Sequence, residues 1–190
     1  MQRSSVLCLF TGLILTLLTV GCGGGDGGGV GQGAFTLRST AFANNGAIPL
    51  KYASANLGGQ DVSPPLQWSN PPSGTRSFAI TCIDLDADNF VHWVIYDIPA
   101  TLSALPENVP KQPQAQINGA IVKQGENDFG GFGYGGPEPP PNERHRYRFT
   151  VYALSVDTLD LPAGATFRQV MQAMEGRILA QATLTGIFPQ

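Results

Sequence analysis

Residues 90–99, FVHWVIYDIP, are the stretch of this sequence that decides its fold. Successive side chains of a β-strand point to opposite faces, so alternate residues of this run share a side. One set comprises Phe90, His92, Val94 and Tyr96, and the other Val91, Trp93 and Ile95. Because both sets are largely apolar, we predict a strand inside a core. His92, one of only two histidines in the chain, is therefore expected in or beside that core.

Four further alternating runs predict strands, at residues 34–39, 66–70, 77–86 and 146–155. Turns rich in proline, glycine and asparagine separate these runs, and no strand–helix–strand alternation is present. The pattern predicts an all-β dominated fold, an antiparallel, Greek-key-like β-sandwich with small peripheral helices. A C-terminal helix is predicted over residues 166–183, where apolar side chains recur at i, i+3, i+4 spacing, although Gly176 interrupts it.

The N-terminal 33 residues are predicted to lie outside the folded domain. Residues 1–21 have the layout of a secretory signal peptide, with Arg3 before a short apolar run. Cys22 follows Gly21, and this junction resembles a bacterial lipoprotein signal, in which the cysteine is lipidated. Residues 22–33 form a glycine-rich tether, and residues 34–190 form the domain. We therefore expect a lipid-anchored protein of the bacterial cell envelope, attached to the outer membrane and facing the periplasm.

Charge and cysteine content narrow the function classes. The net charge of −3 leaves no basic surplus to neutralise phosphates along a nucleic acid, so we predict no nucleic-acid partner. With Cys8 in the signal peptide and Cys22 lipidated, Cys82 is the one free cysteine, and no internal disulfide is expected. Cys82 lies within a predicted strand, where a small buried residue is the ordinary interpretation.

Residues 123–144, KQGENDFGGFGYGGPEPPPNER, form a long segment without strand or helix periodicity. Unstructured loops of this length are uncommon and are usually functional or disordered. Its aromatic residues argue against disorder, so we predict a packed loop that forms one wall of a site.

The strand that follows this loop contains the second histidine. His145 and Tyr147 lie at the loop end of one face, and Arg144, Arg146 and Arg148 occupy the other. The arginine stripe is predicted to be a solvated or ion-paired face. Asp84 lies at the end of an earlier strand and completes a candidate set of polar groups at strand ends.

Several stretches, in order, resemble the phosphatidylethanolamine-binding protein family in its bacterial Raf-kinase-inhibitor-like branch. They are DVSPPLQW (61–68), PPSGTRSFAI (71–80), DLDAD (84–88), FVHWVIYDIP and GYGGPEPPPNERHRYRFTVYAL (133–154). The resemblance implies an antiparallel sandwich with a small anion pocket at one end. Carried over by position, the ligand-binding residues are Asp84, Asp86, His92, Gly136, Pro137, His145 and Tyr147.

In such a pocket, imidazole and phenol groups donate hydrogen bonds to phosphate oxygens, and Asp84 orients a histidine and raises its proton affinity. Four residues depart from the family pattern. Leu85 and Asp88 replace prolines, Glu138 replaces a cysteine common in the bacterial branch, and Phe188 replaces a tyrosine. Glu138 adds negative charge, which disfavours a phosphate and favours a ligand that carries an ammonium group.

Metal binding and catalysis are the competing interpretations of these residues. The DLDAD segment begins like a calcium loop, but Asn89 and Ile95 stand where glycine and glutamate are required. Two histidines and an aspartate suit zinc, but nothing in their spacing selects it. No activated serine or cysteine accompanies them, so binding without catalysis, metal or cofactor is predicted.

The predicted partner is a small phosphate-bearing or other anionic ligand, similar to a phospholipid head group. The family also includes inhibitors of kinase pathways and of a carboxypeptidase. A protein partner, with inhibition of a protease or kinase, is therefore the alternative, and a phosphoester hydrolase using the two histidines is a weaker one.

Overall fold

The structure, a computed structural model, describes residues 33–189. The predicted signal peptide, Cys22 and the tether up to residue 32 lie outside the described residues. Within residues 33–189 the strands are β1 (Thr36–Arg38), β2 (Gly46–Ala47), β3 (Leu66–Ser69), β4 (Ser77–Asp84), β5 (Val91–Pro99), β6 (Ala104–Leu105), β7 (Gln114–Ile117), β8 (Ala120–Gln124), β9 (His145–Leu154) and β10 (Ile178–Phe188). One α-helix, α1, spans Phe167–Met174, and two 3₁₀ turns span Leu50–Tyr52 and Ala55–Leu57.

The strands form two sheets. The small sheet has the order β1-β3-β6, and the large sheet has the order β2-β10-β9-β4-β5-β8-β7. All pairings are antiparallel except that of β2 with β10. The predicted all-β sandwich with a C-terminal helix is therefore confirmed.

Apolar side chains cover both faces of the large sheet. Its inner face packs against the small sheet, and there Trp68 of β3 meets Phe78 of β4 with ring centroids 5.2 Å apart. Its outer face packs against α1 through Val170 and Met174, which contact a cluster that includes Tyr96. Since both faces are covered, β4 is buried at every position, and the FVHWVIYDIP run is apolar on both sides.

A β-bulge in β5 lies at His92. Cys82 pairs with Trp93, whereas Ile83 pairs with Val91, so His92 is an extra residue opposite β4. Val94 and Tyr96 face the outer cluster, but the His92 ring contacts Tyr147 of the inner core. The prediction that His92 shares a face with Val94 and Tyr96 is therefore wrong. A run that is apolar on both sides does not reveal where the alternation shifts by one residue.

The predicted helix over residues 166–183 is wrong beyond Met174. A capping box between Thr166 and Gln169 starts α1. The helix ends at Glu175, and Gly176 then adopts a φ of +70°, which reverses the chain. Ile178–Phe188 continues as β10 and pairs with β9 along most of its length. Long-range pairing thus outweighs the local helical spacing of this segment.

The other short strands were not predicted from the sequence. β2 and β6 have two residues each, too few for an alternating pattern. β8 ends at Gln124, so the long connection begins at Gly125 and leads into β9. Among the helices of residues 33–189, none is long and apolar enough to cross a membrane.

Gly186 of β10 lies where the chain has no room for a side chain. A Cβ atom there would lie 2.4 Å from Cγ1 of Ile48 and 2.8 Å from Cε2 of Phe42. We expect Gly186→Ala to lower the free energy of unfolding by about 1–3 kcal/mol, because it overpacks a filled core. Urea denaturation measures the change. In Gly131→Ala the nearest atom to the new Cβ is 3.8 Å away, so this control should unfold almost like the original protein. Equal stability of the two variants would contradict the prediction.

Candidate functional site

Three neighbouring central strands bring Asp84, His92, His145 and Tyr147 to the same end of the large sheet. β4 lies between β5 and β9 and is antiparallel to both, so its last residues lie beside the first residues of its neighbours. Asp84 ends β4 and pairs with Tyr147 of β9. His92 lies near the start of β5, and His145 begins β9. Residues far apart in the sequence are thereby placed together.

His145 is held between two carboxylates. Its Nδ1 lies 2.7 Å from Oδ2 of Asp84, and its Nε2 lies 3.1 Å from Oε2 of Glu143. Ionised carboxylates only accept hydrogen bonds, so this geometry favours the doubly protonated ring, in which both nitrogens donate. Burial opposes this charge, but the hydrogen bonds to Asp84 and Glu143 and their charges together raise the pKa of His145. The second oxygen of Asp84 accepts from the backbone N–H of Asp86 at 2.9 Å.

His92 is in the opposite state. Its Nδ1 lies 2.8 Å from the carbonyl oxygen of Gly135, so Nδ1 carries the proton and donates it. Burial lowers the pKa of His92, and the hydrogen bond to Gly135 and nearby carboxylates oppose that shift only in part. The neutral ring then presents the unprotonated Nε2, which accepts a hydrogen bond. Phe90, Phe129 and Tyr147 surround the ring edge-on, with centroids 5.0–5.3 Å away.

Tyr147 lies behind both histidines, with its ring centroid 5.0 Å from His92 and 6.5 Å from His145. It is almost fully buried, and its hydroxyl has no hydrogen-bond partner of normal geometry among residues 33–189. Burial and the negative charge of Asp84 raise its pKa, so the phenol keeps its proton. A buried, unpaired hydroxyl is uncommon and is typical of functional positions.

Asp84, His92 and His145, but not Tyr147, line a cavity of about 350 Å³, which we call the histidine cavity. The ends of β4, β5 and β9 and the turn between β4 and β5 provide part of its wall, and the long loop provides the rest. The lining residues are Asp84, Ala87, Phe90, His92, Phe129, Glu138, Pro139, Pro140 and His145. The loop thus forms one wall of this cavity, in the position expected from the sequence.

The other candidate residues lie outside the histidine cavity. Asp86 faces the exposed side of β9, where the guanidinium of Arg146 lowers its pKa to about 2. Gly136 donates its backbone N–H to Oδ1 of Asp61 at 2.7 Å, and the Pro137 carbonyl accepts from Ser54 N at 3.0 Å. These backbone groups of Gly136 and Pro137 hold the loop against Asp61 and Ser54.

A second cavity, of about 330 Å³, adjoins the first and shares Phe129 and Glu138 with it. Phe129 is 48% exposed and packs over Gly135, where a Cβ would lie 2.5 Å from its ring. Glu138 accepts a hydrogen bond from Nδ2 of Asn56 at 2.8 Å. Gly136 lines this second cavity instead of the first.

Sequence reasoning missed part of the site. Phe90 was assigned only to the strand, although it lines the cavity, and Phe129, Pro139 and Pro140 were hidden in an irregular loop. Glu143 gave no signal at all, because its role depends on a contact with His145. An aromatic residue between glycines, such as Phe129 in NDFGG, is the one local signal that could have been used.

The residues that line the histidine cavity offer hydrogen-bonding groups. Serine, threonine, cysteine and lysine are absent from the residues that line the histidine cavity. Burial raises the pKa of the nearby Cys82 thiol well above its usual range, so it stays protonated and unreactive. Within residues 33–189, side chains of histidine, cysteine, aspartate and glutamate form no group of three or more that could hold a metal ion.

The sequence of the folded domain matches a known family. Residues 38–189 match the family model described as phosphatidylethanolamine-binding protein. The chain belongs to this family. The resemblance stated from its motifs is thereby confirmed at the level of the family.

Two curated relatives are informative. A UPF0098 protein of Aquifex aeolicus is 46% identical over 153 residues, which cover 79% of this chain and 85% of that protein. The UPF0098 protein YbhB of Escherichia coli is 35% identical over 157 residues, or 80% of this chain and 98% of YbhB. Both alignments therefore span most of the folded domain.

Solved structures agree on the fold. The crystal structure of E. coli YbcL, described as a new member of the mammalian PEBP family, superposes with a TM-score of 0.75 at 29% identity. It covers 82% of this chain and 98% of YbcL. The Chlamydia trachomatis homologue CT736 gives a TM-score of 0.71 at 35% identity and covers 83% and 98%.

Asp84 is expected to set the charge of His145. Asp84→Asn removes the buried negative charge but keeps a similar shape, so the pKa of His145 should fall. NMR titration of the imidazole C2 protons measures this directly, because the chain has only two histidines.

Asp86→Asn is the matched control, since Asp86 pairs with Arg146 on the exposed side and makes no hydrogen bond to His145. The His145 titration should change little in this variant. Equal shifts in both variants would contradict the assignment of Asp84.

Proposed function

We propose that the domain binds a small phosphate-bearing or other anionic ligand, similar to a phospholipid head group, in the histidine cavity. The observation that carries the proposal is the buried His145–Asp84 pair, in which the Asp84 carboxylate favours the protonated form of His145 at the wall of a cavity beside His92. The family to which the chain belongs is named for binding phosphatidylethanolamine, which supports a head-group ligand.

The histidines favour a particular protonation state of that ligand. Charged His145 attracts an anionic oxygen, whereas neutral His92 offers only an acceptor at Nε2. A phosphate monoester in its monoanionic form suits both, because it carries one P–O⁻ group and one P–OH donor. The buried Tyr147 hydroxyl keeps its proton and is a further donor behind the two rings, although Tyr147 does not line the cavity.

Glu138 on the cavity wall favours a zwitterionic ligand. Its carboxylate lines both cavities and adds negative charge near the bound phosphate. An ammonium group on the same ligand would offset that charge. We therefore propose that phosphoethanolamine binds more tightly than inorganic phosphate.

The N-terminal sequence supports a cellular setting for this proposal. Cys22, after an apolar leader and before a glycine-rich tether, supports lipid anchoring to the bacterial envelope. A tethered head-group-binding domain would act at or near a membrane surface, facing the periplasm. Retention of palmitate label by the original protein, and its loss in Cys22→Ala, would test this anchoring.

Calorimetric titration of the purified full chain with phosphoethanolamine at several pH values tests the ligand proposal. Affinity should fall by several-fold from about pH 5.5 to about pH 8, because a phosphate monoester loses its second proton near pH 6. The raised pKa of His145 has the same sign, since its charge is retained below that value and lost above it.

His145→Gln should weaken phosphoethanolamine binding roughly 10- to 100-fold, the range for loss of a charged hydrogen bond. Arg148→Gln is the matched control, because it removes a positive charge from the same strand away from the cavity. Binding that ignores both pH and His145→Gln would rule the proposal out. A protein complex that survives His145→Gln would favour the inhibitor alternative.

A further inference from the structure

The two histidines of the cavity already use most of their hydrogen-bonding capacity inside the protein. Of their four ring nitrogens, three are bonded: His92 Nδ1 to Gly135, His145 Nδ1 to Asp84, and His145 Nε2 to Glu143. An anion therefore finds no free N–H donor on either ring. For His145 to donate to a ligand, one of its two carboxylate partners has to leave.

Glu143 is the partner that is able to leave. Asp84 is buried at the end of β4, and its two oxygens bond to His145 and to the backbone of Asp86. The Glu143 side chain is 58% exposed and lies on the loop just before β9. Its contact with His145 at 3.1 Å joins a buried imidazole to an exposed carboxylate, so water can replace the bond on the Glu143 side.

The Glu143 carboxylate makes the same kind of bond that a phosphate oxygen would make. Each is an anionic oxygen that accepts the single Nε2–H of His145, so the two exclude each other. Glu143 is also only two residues from His145, which keeps its effective concentration high. We propose that Glu143 is an internal competitor, whose carboxylate every anionic ligand must displace before it bonds to His145 Nε2. This inference rests on the proposed function.

Displacement of Glu143 from His145 affects all anions alike, whereas a change in pocket shape would affect anions of different shape differently. The cost of freeing His145 is the same for every anion that bonds to Nε2. Removing Glu143 should therefore raise the affinity for phosphate and for acetate by the same factor. The ion pair is exposed on its Glu143 side, so its loss corresponds to about a two- to fivefold gain.

The test is calorimetric titration of the full chain with inorganic phosphate and with acetate at about pH 6, where His145 stays protonated. Glu143→Ala removes the competitor, and Glu143→Gln keeps the size but removes the charge, so its gain should be smaller. Glu175→Ala is the matched control, since Glu175 is exposed at the end of α1. We expect a gain of about two- to fivefold for both anions in Glu143→Ala and no change in Glu175→Ala.

A second measurement follows Glu143 itself in the original protein. The ¹³C signal of its carboxylate should move toward that of a free glutamate as phosphate is added. Unchanged or weaker phosphate binding by Glu143→Ala, while the original protein binds, would overturn the inference and leave the proposed function intact. No phosphate binding by any of the proteins would overturn both.

Discussion

The pairing of β4 with β9 is the constraint on which the rest of the site depends. These strands match residue for residue from Ser77–Leu154 to Asp84–Tyr147. Because β4 is buried at every position, a slip by one residue would exchange side chains of different size between its two packed faces. The core therefore fixes the register of β4 and β9. This register by itself places the Asp84 carboxylate beside the first residues of β9.

The buried Asp84–His145 pair is a charge arrangement that stability alone does not explain. Taking two charges out of water is costly, and a buried pair often contributes little net stability compared with apolar residues. Here both residues line a cavity at the ends of their strands. This position suggests a role in ligand binding in addition to stability. The pair keeps a positive charge on a ring that burial would otherwise neutralise, as it does in His92.

The sequence could predict the sandwich because its central strands are apolar on both faces, a pattern that local residues carry by themselves. It could not predict that residues 178–188 form a strand, since their role is decided by pairing with β9. His92 was assigned to the wrong face for a similar reason: the bulge is a property of two paired strands. Asp84, His92 and His145 do line one cavity, whereas Asp86 is turned outward by Arg146. The position of a residue in a motif predicts which part of the fold it occupies, but it does not predict where its side chain points.

The two histidines differ in the pKa shift of their rings because their hydrogen-bond partners differ. The bulge places His92 against a backbone carbonyl, which accepts one proton but carries no full charge to stabilise a second. The register places His145 between two carboxylates, which stabilise both of its protons. One ring is thus an acceptor and the other a cation, although burial acts on both in the same direction. A ligand that carries one negative oxygen and one hydroxyl complements this pair, whereas a fully ionised ligand would leave His92 facing a second acceptor.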